Sequence, residues 1–207
     1  MRPEHVADDL AEVLWTEEQI IARLRELAAQ IERDYRDEDG TDRDLLLVGV
    51  LGGAAVMTSD LVRAFDRHVE VTWMGLSSYR AGPGTAGASG SVRLRKALDV
   101  DITGRNVLLV DGVINTGLTA SWLVSNLRSR GPASVSFCTL FRKQTIAELP
   151  PEVRYVGFDA PEGVLVGYGL DYAGRYRNLR AAALLAPHVY AGARDRLDGL
   201  PAVPAAR

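Results

Sequence analysis

Asp111, Asn115, Thr116, Gly117 and Thr119 stand close together in the chain, an acid followed by a short polar turn. The acid closes an apolar run, Val-Leu-Leu-Val over 107–110, that has no helical stripe and reads as a strand buried on both faces. Beyond the turn, Ala120, Leu123, Val124 and Leu127 share one helical face. A strand's carboxyl end, a tight turn and a helix amino end together present free backbone N–H groups and the positive end of a helix dipole, which favour an anion. Thr116 and Thr119 add hydroxyl donors, and Gly117 lets a ligand approach the backbone. The chemistry that suits this order is a sugar phosphate, with the Asp111 carboxylate on ribose hydroxyls and residues 116–119 (Thr116, Gly117, Leu118, Thr119) on the phosphate.

A second anion geometry precedes it. The apolar stretch 45–51 breaks at Gly52-Gly53, and a helix follows through residues 54–62. Two further strands, 69–76 and 92–95, bracket a Gly-rich loop over residues 80–90 that has the composition of an active-site lid.

The run Asp111-Gly112-Val113-Ile114-Asn115-Thr116-Gly117 resembles the phosphoribosyl-diphosphate motif of type I phosphoribosyltransferases: two adjacent acids, two apolar residues, Asp, Thr or Ser, and Gly. The flanking text, 118–123, 129–132 and 138–140, is similar to the hypoxanthine-guanine branch in particular. Here Gly112 replaces the second acid and Asn115 the third. The resemblance implies a catalytic pair at Asp111 and Asn115, a 5-phosphate turn at residues 116–119, and diphosphate contacts from Gly52, Gly53 and Arg177. It further implies a Mg²⁺ ligand at Asp171 and base contacts from Lys143, Val164 and Leu165. Ser78 and Tyr79 match the family's lid dipeptide. Gly52 stands where the family carries Lys, and Val164 where it carries an aromatic ring that stacks on the purine. Asn can hydrogen-bond but cannot accept a proton at neutral pH. Gly112 is expected to open space beside the sugar.

The elements that must hold these residues follow from the rest of the chain. Its 207 residues make one domain large enough to bury a core, expected over residues 1–190 with a flexible tail over 191–207. A net charge of −3 argues against a broad nucleic-acid surface, and no apolar run approaches a membrane span. The single cysteine, Cys138, fits a reducing compartment, so a cytoplasmic enzyme is expected. Thr16 and Gln19 have capping-box spacing, with Trp15 and Ile20 placed to form a hydrophobic staple, and the helix they begin carries its apolar face to Tyr35. Strands are expected over 133–141, 153–158 and 164–172. The alternation of strands and helices predicts an α/β fold, a parallel sheet flanked by helices with a small hood.

The reading implied is Mg²⁺-dependent transfer of a phosphoribosyl group to a purine or purine-like base by a homodimer or homotetramer. Two alternatives stand beside it. One is a recruited glycosyltransferase of specialised metabolism that takes a sugar activated by a purine nucleotide. The other is a catalytically silent nucleotide-binding regulator.

Overall fold

The computed structural model describes residues 1–78, 92–144 and 149–191. A 3-10 helix (Pro3–Asp9) leads into β1 (Leu10–Trp15), α1 (Glu17–Asp34), β2 (Leu46–Leu51), α2 (Ala55–Arg63), β3 (Glu70–Ser78) and β4 (Val92–Lys96). Then come β5 (Asn106–Ile114), α3 (Leu118–Arg128), β6 (Ser134–Lys143), β7 (Val153–Ala160), β8 (Leu165–Val166), β9 (Ala182–Leu185) and α4 (Pro187–Ala191). Among the described residues no helix is long and apolar enough to cross a membrane.

Six strands form one sheet in the order β4-β3-β2-β5-β6-β7. All neighbours are parallel except β4, which returns antiparallel along β3. The apolar runs are unbroken because both faces are covered. Leu47, Leu108, Val110, Cys138 and Leu140 face α1 and α2. Leu46, Val48, Val107, Leu109 and Phe137 face α3. From β2 the chain moves one way to β3, and from β5 it moves the other way to β6. The order therefore reverses between β2 and β5, and a crevice opens beyond their carboxyl ends, where open α/β sheets bind ligands. Gly52-Gly53 and the 115–119 turn lie on either side of it.

The opposite end is held by charge. Arg105 donates two bonds to Asp44 at 2.8 and 2.9 Å and pairs with Glu70 at 2.8 Å, tying the entries of β5, β2 and β3 together. The Asp44 carboxylate is thereby held below its usual range, by the Arg105 hydrogen bonds first.

The capping box forms as expected, Gln19 N–H donating to Thr16 and Thr16 N–H to Gln19. The start of the chain supplies a strand that its residue types alone do not mark: Leu10–Trp15 pairs antiparallel with β9, and β8 completes a three-stranded hood. Its alternation was hidden because β1 is largely exposed. Trp15 stacks on Phe141 and Phe158 at 5.0 and 4.8 Å, fixing the hood to the sheet. The expected strand 164–172 shrinks to Leu165–Val166, because Gly167, Tyr168 and Gly169 all take positive φ (93°, 49° and 97°), which no strand accommodates.

Candidate active site

At the end of β5 the turn does what its residue types suggest. Gly117 occupies the left-handed region (φ 75°) and starts α3 without any side-chain cap. The first helical bond runs from Ser121 N–H to Gly117 O at 2.9 Å. The N–H groups of Leu118, Thr119 and Ala120 therefore precede the helical ladder, next to a cleft of about 90 Å³ lined by Asp111, Asn115, Thr116, Gly117, Thr119 and Ala120 among others. Asn115, Thr116 and Thr119 are exposed to it, and Leu118 stands 68% exposed at the rim.

Asp111 is half-buried on the same strand end. Its Oδ1 accepts the Gly112 N–H at 2.7 Å. Burial pushes its carboxyl up to about 6, and that one hydrogen bond only partly opposes the shift. Among the described residues no cation pairs with it.

The expectation that Gly112 opens space beside the sugar is overturned. A side chain there would begin 3.0 Å from the Gly53 carbonyl oxygen and 3.0 Å from Leu170 Cδ2. The volume is already filled by the loop after β2 and by the turn after β8. Glycine at 112 is what lets these three segments close on one another.

Gly52 (φ 106°) and Gly53 form that loop after β2. Arg177 brings its guanidinium within 3.8 Å of where a Gly52 side chain would start. A cation thus lies beside the cradle even though Gly52 itself carries none. Arg177 is held by Asp171 at 2.7 Å and by the Gly169 carbonyl at 2.8 Å. The second Asp171 oxygen accepts the Gly174 N–H at 2.9 Å.

The fit of this site to Mg²⁺ rests on Asp171. Its two oxygens take one strong donor each and keep further lone pairs. Among the described residues no three His, Cys, Asp or Glu gather to hold a metal by themselves. The donor set suits a cation bound by one carboxylate plus substrate oxygens, which is how Mg²⁺ is commonly held.

Lys143 ends β6, is 6% exposed, and donates to the carbonyls of Pro161 and Gly163 at 2.6 and 2.9 Å. Burial lowers its ammonium below the usual range, and Glu162 works the other way. Among the described residues two of its three ammonium donors are taken, and the third is left for a ligand. Those carbonyls lead straight into Val164 and Leu165. Val164 packs against the hood cluster around Val166 and Leu185, its carbonyl taken by the Leu185 N–H at 2.9 Å. Leu165 is buried in β8 opposite Leu184. The structure thus joins Gly52, Gly53, Asp171 and Arg177 on one side and Lys143 with the Val164–Leu165 turn on another. Ser78 ends β3, and Tyr79 lies outside the described residues.

The phosphoribosyl transferase domain model matches residues 13–173. The hypoxanthine-guanine phosphoribosyltransferase of Mycobacterium bovis is 49% identical over 183 residues, covering 88% of this chain and 89% of that protein. The chain belongs to the type I phosphoribosyltransferases, in their hypoxanthine-guanine branch. The Bacillus subtilis hypoxanthine-guanine enzyme is 38% identical, covering 88% of this chain and 97% of its own. A crystal structure of Trypanosoma cruzi hypoxanthine phosphoribosyl transferase superposes with a TM-score of 0.81 at 35% identity, covering 90% of this chain and 97% of that one.

Three residues of the site escaped the sequence reading. Leu170 wedges between Gly53 and Gly112, Gly169 presses on Gly53, and Tyr168 bonds Asp60 on α2. The signal was present as Gly167-Tyr168-Gly169, two glycines around one aromatic, which marks a turn rather than a strand.

Proposed function

We propose that this chain transfers the phosphoribosyl group of phosphoribosyl diphosphate to a 6-oxopurine, with Mg²⁺ as cofactor. The observation that carries the reading is the uncapped amino end of α3, set at the switch point of the sheet beside Asp111. There the N–H groups of residues 118–120 and the Thr116 and Thr119 hydroxyls would hold the 5-phosphate. Asp111 would accept a ribose hydroxyl. The N–H groups of the Gly52-Gly53 loop and the Arg177 guanidinium would receive charge as diphosphate departs. Mg²⁺ bound through Asp171 and substrate oxygens would neutralise part of that same charge. Lys143 would donate to the exocyclic oxygen of the base, its aim fixed by the Pro161 and Gly163 carbonyls.

In this reading a ring nitrogen of the base bonds to the anomeric carbon as the carbon–oxygen bond to diphosphate breaks. Asn115 Oδ1 can hold the ring N–H but does not take its proton, which leaves to water. Absence of a general base there slows the step by roughly 10²–10⁴-fold against an acid at the same place. The alternative in which Gly112 makes room for a larger sugar loses its support, since Leu170 and the Gly53 carbonyl occupy that room. The test is incubation with phosphoribosyl diphosphate, Mg²⁺ and hypoxanthine or guanine. Formation of the nucleoside monophosphate is expected. Tight nucleotide binding without any product would instead support a silent regulator.

A further inference from the structure

Tyr168 is an odd residue for its place. It is a non-glycine residue in the left-handed region (φ 49°), it is 3% exposed, and it sits between Gly167 and Gly169, also at positive φ. Such a conformation is unfavourable for a bulky side chain and persists only where the surroundings hold it. The surroundings are specific. Tyr168 N–H donates to Leu179 O and Gly169 N–H to Arg177 O, both at 2.9 Å, so the turn is tied to the strand of chain that carries Arg177. The phenol crosses to α2 and donates to Asp60 Oδ2 at 2.5 Å. Burial first, and then the Asp60 carboxylate, raise the phenol's titration well above its ordinary range, so it remains a donor. The other Asp60 oxygen lies 3.6 Å from Arg63.

This bond has a geometric consequence. α2 begins directly after the Gly52-Gly53 loop, and the turn that holds Tyr168 leads into Asp171 and Arg177. The two segments also touch through backbone, because a side chain on Gly169 would run into the Gly53 carbonyl oxygen and begin 3.4 Å from Val56 Cβ. The Tyr168–Asp60 bond is a second anchor on the far side of α2's first turns. Two points of attachment fix an angle as well as a spacing. We propose that Tyr168 and Asp60 are positioning residues that set the distance between the Gly52-Gly53 cradle and the Asp171–Arg177 pair, and so set affinity for a diphosphate group. Neither touches the reacting atoms. The proposal rests on the reading of this cleft as a diphosphate site.

The test uses Tyr168→Phe, which keeps the buried ring and removes only the donor, with Asp60→Ala and Asp60→Asn on the other partner. Titration calorimetry with inorganic diphosphate and Mg²⁺ is run beside steady-state kinetics. Removing a hydrogen bond to a charged group is expected to weaken diphosphate binding and raise KM for phosphoribosyl diphosphate about ten-fold in Tyr168→Phe and Asp60→Ala. KM for the base stays within about two-fold, and Asp60→Asn, whose amide oxygen still accepts, stays near the wild type. A merely structural bond would lower thermal stability while leaving diphosphate affinity and the KM ratio unmoved, and that result overturns the proposal. Diphosphate binding that falls in Tyr168→Phe although the wild type makes no nucleotide would sustain the positioning role and reject the proposed reaction. A wild type that binds no diphosphate rejects both.

Discussion

Replacing Asp111 by Asn should make the protein more stable and less active, and the size of the first effect follows from where the carboxyl sits. Asp111 is half-buried at the end of β5, where among the described residues its carboxylate takes a single hydrogen bond, from the Gly112 N–H at 2.7 Å. Burial moves its titration from 3.8 to about 6. The folded state therefore keeps the proton to higher pH than the unfolded chain does. The associated stability is fully present below about pH 4 and is lost as pH rises through 6. Above that range the desolvated carboxylate costs roughly 3 kcal/mol. Asn keeps an oxygen for the Gly112 N–H and carries no charge. For a chain of this size, about 2–4 °C per kcal/mol gives a rise in Tm of roughly 6–12 °C at pH 8. No gain is expected at pH 4. Thermal unfolding of both proteins from pH 4 to pH 8 reads this directly, with turnover measured at pH 8 to show the loss of the ribose acceptor. Parallel Tm curves across that range, or a variant less stable at pH 8, would refute the reasoning.

Asn115→Asp is expected to raise kcat by roughly 10²–10⁴-fold and to make it pH-dependent, because a proton acceptor is restored in the cleft beside Asp111; stopped assays across pH check it. Gly112→Asp is expected to lower affinity for phosphoribosyl diphosphate, since its Cβ would push on the Gly53 carbonyl and Leu170 at 3.0 Å each, and isothermal titration reads the change. Lys143→Met should raise KM for the base while leaving KM for phosphoribosyl diphosphate unchanged. It should also cost about 1–3 kcal/mol of stability by leaving the Pro161 and Gly163 carbonyls without their donor; steady-state kinetics and denaturant unfolding check the two effects.

The parallel sheet was legible because its strands carry apolar runs, and the phosphate turn because acid, glycine and hydroxyls sit at fixed short spacing. Capping at Thr16 was legible for the same local reason. What escaped depended on partners distant in the chain. β1 has little apolar alternation of its own and exists because β9, some 170 residues away, pairs with it. Leu170 looks like an ordinary apolar residue until Gly53 and Gly112 are brought against it. Gly112 itself was misjudged because a missing side chain suggests empty space, and only packing reveals that neighbouring backbone fills it. The displacement of Asp111 likewise depends on how the fold buries it, which no local pattern encodes.

The most direct measurement is a crystal structure of the protein with guanosine monophosphate. The 5-phosphate oxygens should lie within about 3 Å of the N–H groups of residues 118–120 and of the Thr116 and Thr119 hydroxyls, with Asp111 on the ribose. A phosphate bound elsewhere, with this turn left without ligand contacts, would contradict the account.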